Sequence, residues 1–189
     1  MYIFFEKTST RDLPDIRILT KEKVLELIKE DNSAYELYFT EDNAILIRVY
    51  FDIEKTITSL DEAPDVLKSM MDLLCSKFGM NPDTWAICDG TREGRASFHI
   101  ISKRFCIDLE TLRVLTNKLR KLNLTVDHSI LDFNDKKVYT YNMFRLPNQS
   151  KSKRYFRQDG PPLKVIQGSV EDCLITCIDE LELYLPLTS

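Results

Sequence analysis

Apolar positions recur along this chain with two periods, and each change of period marks a change of element. Residues 20–29 (TKEKVLELIK) set apolar side chains at helical spacing behind a threonine cap, which predicts a short helix. Residues 44–54 (AILIRVYFDIE) are dense in β-branched and aromatic side chains and read as a buried strand. Residues 61–78 return to the helical period, with an acidic first turn, an early proline and Gly79 as the stop. Residues 85–88 and 96–102 read as strands on either side of the charged, glycine-bearing turn 89–95, and so predict a hairpin. Residues 108–122 form an amphipathic helical pattern. Residues 126–131 and 137–146 read as strands joined by the polar turn 132–136, followed by a basic loop that ends at Gly160-Pro161-Pro162. Ser169, with Glu171 and Asp172 behind it, signals a last helix over 169–185. Strands and helices mix without regular alternation, and hairpins imply antiparallel pairing. The expected class is α+β, a mostly antiparallel sheet flanked by helices.

At 189 residues the chain suits a single domain over 1–189, large enough to fold on its own core. An apolar share of 43% with only 5 glycines and 7 prolines excludes a low-complexity chain. No apolar run reaches the roughly 20 residues that span a bilayer, so no membrane partner is expected. The five cysteines are odd in number and irregular in spacing, with no signal peptide, which reads as reduced thiols in an intracellular protein. Cys173 and Cys177 share one face of the predicted last helix and read as core residues rather than half a zinc site. The net charge of −4 runs against a nucleic-acid partner, but its distribution does not: residues 145–157 carry Arg145, Lys151, Lys153, Arg154 and Arg157 and no acid.

Three short segments carry candidate chemistry. Asp52 and Glu54 end an apolar strand, and positions i and i+2 of a strand face the same way. Two carboxylates so placed repel each other unless a divalent cation lies between them. On the strand 95–102, Arg95, Ser97 and His99 share one face and Ala96, Phe98 and Ile100 the other; the first face is a donor set suited to phosphate oxygens. The tract 126–151 then offers Asp127, Asp132 and Asp135 as further acids, and Arg145 and Lys151 as cations for a triphosphate or template phosphate. Carboxylates for two metals, with a polar strand and cations for a triphosphate, are the groups that nucleotidyl transfer requires.

The order of these segments resembles the archaeo-eukaryotic primase superfamily, and within it the herpesvirus and poxvirus-type branch that includes the primase-polymerases. The closest matches are SFHII (97–101) and VYTYNMFRLPNQSK (138–151), and VIQGSVED (165–172) also resembles the segment after the core in some large-DNA-virus primases. The resemblance covers about 45–178 and implies an RNA-recognition-like palm. It implies that Asp52 and Glu54 bind catalytic Mg²⁺ or Mn²⁺. Either Asp127 or Asp135 would be the third ligand: Asp127 follows an apolar residue, Asp135 shortly precedes Val138-Tyr139. It further implies that Ser97 and His99 contact the incoming nucleotide, that Arg95 faces its triphosphate, and that Arg145 and Lys151 are the basic positions after the third motif. Tyr141, Asn142 and Met143 stand where the family often has a second basic residue.

The implied activity is a DNA primase or primase-polymerase, adding NTPs or dNTPs to a 3′-hydroxyl on a single-stranded DNA template, with Lys153, Arg154 and Arg157 tracking the template. A helicase domain or subunit is the partner such enzymes commonly carry; no P-loop is present, so the chain reads as a possible piece of a longer primase-helicase. Two other classes compete. A metal-dependent nuclease also needs strand-end acids, but Thr56 stands two residues after the second acid where a lysine is common, and Lys55 points to the other face. A non-catalytic single-strand-binding module would want exposed strand aromatics and leaves Asp52 and Glu54 unexplained.

Overall fold

The computed structural model describes residues 1–10, 13–39, 45–127, 141–151 and 160–185. Among these residues two antiparallel sheets are flanked by three helices, in an α+β fold. The smaller sheet is built from β1 (Tyr2–Phe5), β2 (Asp15–Ile18), β3 (Ala34–Phe39) and β7 (Tyr141–Arg145), in the order β2-β1-β3-β7. The larger is built from β4 (Leu46–Thr56), β5 (Trp85–Asp89), β6 (Arg95–Asp108) and β8 (Lys164–Gln167), in the order β4-β6-β5-β8. The two-residue β9 (Glu182–Leu183) adds to the far end of β6 in the fold's one parallel pairing among the described residues.

The helices form where caps and period agree. Thr20 caps α1 (Lys21–Leu27), and Asp108 caps α3 (Leu109–Leu122) by accepting from the Thr111 N–H at 2.8 Å. A capping box of Ser59 and Glu62 opens the turn before α2 (Ala63–Phe78), which stops at Gly79 in the left-handed region. α2 and α3 pack on one face of the larger sheet through Val66, Met70, Leu74, Leu112, Leu115 and Leu119, all buried with Phe51, Ile53, Phe98 and Ile100. α1 covers the smaller sheet, where Val24 and Ile28 meet Ile3, Phe5 and Ala34.

Residues 169–185 do not form the expected helix. Ser169 does accept from the Asp172 N–H, but what comes next is a 3₁₀ turn, Glu171–Cys173, whose N-cap is Val170 and which has no side-chain cap. The chain then crosses between the sheets as a strap of two turns, in which the Cys177 N–H donates to the Leu174 carbonyl and the Leu181 N–H to the Ile178 carbonyl. Buried Glu36 on β3 accepts from the N–H groups of Ile175 and Thr176 at 2.9 and 3.0 Å. Buried Arg48 on β4 donates to the carbonyls of Leu174 and Cys177 at 3.0 and 2.9 Å. Two opposite charges thus hold the backbone that a helix would have satisfied internally. Cys173 and Cys177 therefore share no helical face; Cys173 is buried beside Cys88, and Cys177 is half-buried against Met1. All five cysteines are free.

Sequence reasoning named neither β1 to β3 nor β8. Of the strand expected over 126–131, Val126 makes an antiparallel bridge to Ile53 and the Asp127 N–H donates to the Asp52 carbonyl, and residues 128–131 lie outside the described residues. The strand expected over 137–146 is described as β7 from Tyr141. Among the described residues no helix is long and apolar enough to cross a membrane.

Candidate functional site

The site begins with strand register. β4 and β6 pair antiparallel so that Asp52 lies opposite His99, Glu54 opposite Ser97 and Thr56 opposite Arg95. The two alternating faces inferred for each strand thus coincide, and the acids and donors point away from the helices. On the other edge of β4, the Glu54 N–H donates to the Thr125 carbonyl and the Asp127 N–H to the Asp52 carbonyl, both at 2.8 Å. That ladder brings Asp127 beside Asp52 as a third acid.

The smaller sheet supplies the opposite wall. Phe144 on β7 stacks on His99, ring centroids 4.2 Å apart at 30°. Next to it Arg145 is buried, donating from Nη1 to the Pro161 carbonyl at 3.0 Å while its Nε has no hydrogen-bond partner. Both glycines pack closely on the guanidinium: a Cβ at Gly90 would stand 2.9 Å from Arg145 Nη2 and Leu163 Cδ2, so that these side chains would have to shift, and one at Gly160 would make a tight 3.3 Å contact with Nη1. Lys151 comes after a tightly held loop. Buried Gln149 accepts from the N–H groups of Asn32 and Ala34 and donates to the Glu30 carbonyl, and Asp31 accepts from the Ser150 N–H and hydroxyl. Lys151 Nζ then lies 3.9 Å from Glu54 Oε1.

The result is a cleft of about 330 Å³ lined by Asp52, Glu54, Ser97, His99, Asp127, Arg145 and Lys151, with Tyr35, Met143 and Phe144. Seven of the predicted site residues meet there. Arg95 does not line it; it pairs with Glu54 Oε2 at 3.0 Å, and nearly half of its side chain is exposed. Asp135, Lys153, Arg154 and Arg157 lie outside the described residues.

Charge in the cleft is unbalanced locally. Burial, then Glu54 and Asp127, push the Asp52 carboxyl up to about 7. Burial, then Arg145 and Lys151, hold His99 well below its ordinary range, so it is a neutral imidazole at pH 7. Burial likewise lowers Arg145 and Lys151, the latter against the opposing pull of Glu54. Asp52 Oδ1 and His99 Nδ1 are buried without hydrogen-bond partners, and Asp52 Oδ1 is 3.9 Å from His99 Nε2. Among the described residues, no three His, Cys, Asp or Glu side chains are grouped so that they could hold a metal ion by themselves. An orphaned buried carboxylate oxygen among three acids nevertheless fits a hard divalent cation. Magnesium keeps several waters and is held by one or two carboxylates plus substrate phosphates, so a closed cage is not needed.

Sequence reasoning missed Tyr35 and Phe144, which only the pairing of β3 with β7 brings here. Tyr35 donates to Glu6 Oε2 at 2.9 Å and is buried in the cleft wall. No known protein family and no characterised protein matches the chain in sequence.

Proposed function

We propose that this chain is a nucleotidyltransferase of the primase-polymerase kind, extending a 3′-hydroxyl with NTPs or dNTPs on a single-stranded DNA template. The observation that carries the reading is the opposition within one cleft of the acids Asp52, Glu54 and Asp127 to the cations Arg145 and Lys151, with Ser97 and neutral His99 between them. Its resemblance in motif order to the archaeo-eukaryotic primases supports the same reading.

Asp52 and Glu54, with Asp127 or Asp135, are the residues that would hold Mg²⁺ or Mn²⁺, which when bound supply neutralisation of phosphate charge and a lowered pKa for the attacking hydroxyl. The remaining roles belong to the chain. The Ser97 hydroxyl and the His99 imidazole donate to phosphate oxygens without exchanging a net charge. Arg145 and Lys151 neutralise the polyphosphate and the departing pyrophosphate. Lys151 and Arg95 both lie against Glu54, so an entering triphosphate and its cation exchange partners with an existing ion-paired cluster instead of entering an uncompensated one. Phe144, stacked on His99, fixes the imidazole plane.

The test is synthesis on single-stranded DNA with labelled nucleotides and Mg²⁺ or Mn²⁺, beside an Asp52→Ala/Glu54→Ala double variant. Short labelled products are expected, falling on the order of a thousandfold or more in the variant. Intact template without products would overturn the reading. A degraded template would assign the acids to a nuclease, for which Lys151 beside Glu54 is the cation lacking two residues after the second acid.

A further inference from the structure

The hairpin turn between β5 and β6 carries an arginine outside the set of residues lining the cleft. Arg92 pairs with Arg95 across the turn through both backbone N–H groups, each donating at 2.9 Å to the other's carbonyl, so its backbone position is fixed independently of its side chain. Two residues earlier, Gly90 packs directly on the Arg145 guanidinium. The turn therefore closes over the cation side of the cleft. Arg92 is half-buried, and its Nη1 is fully buried with no hydrogen-bond partner. It stands within electrostatic reach of both Arg145 and Lys151 and disfavours the charged form of each.

Three cations gathered at one side of a partly desolvated cleft repel one another, and a buried guanidinium nitrogen without an acceptor has lost its hydration without replacement. Glu54 and Asp52 lie on the acid side and offset part of this charge. A polyvalent anion with several acceptor oxygens is the ligand chemistry that suits such a group of donors.

We propose that Arg92 is a binding residue for the polyphosphate tail of the nucleotide, closing from the β5–β6 turn on the phosphates that Arg145 and Lys151 hold from below. This rests on the nucleotidyl-transfer reading for the ligand's identity, but the anion site can be tested without catalysis. The Arg92 fork offers two parallel donors to phosphate oxygens. Nucleotides with three phosphates then bind more tightly than those with one, and Arg92 carries part of the difference.

The probe is inorganic tripolyphosphate, titrated calorimetrically into the full chain at low salt, with nucleoside triphosphate and monophosphate in parallel. Arg92→Ala is expected to weaken tripolyphosphate and triphosphate binding roughly tenfold or more and to leave the monophosphate nearly unchanged. Arg92→Lys should recover part of the loss, because it restores charge without the fork, and circular dichroism and melting should match the wild type. In steady-state synthesis the Arg92→Ala effect should fall mainly on KM for the nucleotide. Unchanged tripolyphosphate affinity in Arg92→Ala would overturn the proposal, as would a wild-type chain that does not bind tripolyphosphate. If Arg92→Ala fails to fold, Arg92→Gln replaces it: a comparable loss of affinity supports the proposal and an unchanged affinity overturns it. Arg92-dependent tripolyphosphate binding without primer synthesis would sink the polymerase reading and leave the anion site standing. Synthesis with a KM indifferent to Arg92 would do the reverse.

Discussion

At the scale of single residues, Asp52 shows what the cleft costs the fold. Its carboxyl has an ordinary value of 3.8 and is pushed up to about 7 in the fold, first by burial and then by Glu54 and Asp127. The folded chain therefore binds more protons here than the unfolded one. This group's stabilising contribution is fully present below pH 3.8 and is lost as pH rises through about 7. Asp52→Asn removes the charge while keeping the shape. In the metal-free protein the variant should be more stable than wild type at pH 8, and the difference should shrink towards zero near pH 4. Water reaches a third of the side chain, so the gain at pH 8 is set on the order of 1 kcal/mol. Urea denaturation in EDTA at several pH values measures it; a variant less stable than wild type at pH 8 would show that the acids do not repel in the folded state. Within the proposed function the same repulsion is what a divalent ion relieves, in competition with the proton.

Elements explain why part of this molecule was legible and part was not. The run 44–54 read correctly because its apolar density and its two terminal acids lie in one continuous segment, and the face shared by Asp52 and Glu54 follows from the pleat alone. The face shared by Ser97 and His99 was legible for the same reason. That it is buried was not, because burial comes from Phe144 on a strand of the other sheet. β1 and β3 escaped notice because both their faces are buried: Ile3 and Phe5 look to α1, while Phe4, Tyr35 and Leu37 pack together on the far side, so no period of two appears. The helix expected over 169–185 failed for a different reason. Its start signals are local, and Ser169 does bond the Asp172 N–H, but the chain makes only a 3₁₀ turn before Glu36 and Arg48 capture the backbone. Glu36→Ala would leave the Ile175 and Thr176 N–H groups without acceptors and Arg48 without its opposite charge across the strap. The expected loss is about 3 kcal/mol, read from urea unfolding followed by near-ultraviolet circular dichroism. A loss under about 1 kcal/mol would mean that water replaces the carboxylate and the strap is not a clamp.

At the scale of the whole molecule, the cleft belongs to neither sheet alone, and this bears on where the functional unit begins. The primase-like motifs occupy about 45–178, and a chain cut to that span would keep β4 to β6, α2 and α3. Besides the two-residue β9 at the far end of β6, it would lose β1, β2 and β3, and with β3 the only strand that pairs with β7 among the described residues. Leu146 and Leu174 would lose Ile3, Phe5, Val24, Ile28 and Ala34, the rest of their buried cluster. The Glu36 side of the strap clamp would go too, as would the Glu30, Asp31, Asn32 and Ala34 partners that hold Gln149 and Ser150 ahead of Lys151. Each loss exposes apolar surface or orphans a buried polar group, and all fall on the wall that carries Phe144, Arg145 and Lys151. The fragment should therefore retain far-ultraviolet helical signal from α2 and α3, melt without a cooperative transition, and bind tripolyphosphate at least tenfold more weakly than the full chain. A fragment that melts cooperatively and binds tripolyphosphate as the full chain does would show that the larger sheet builds the phosphate side unaided. The expected result would instead make the first 39 residues part of the site's architecture, although none of the motif residues lies among them.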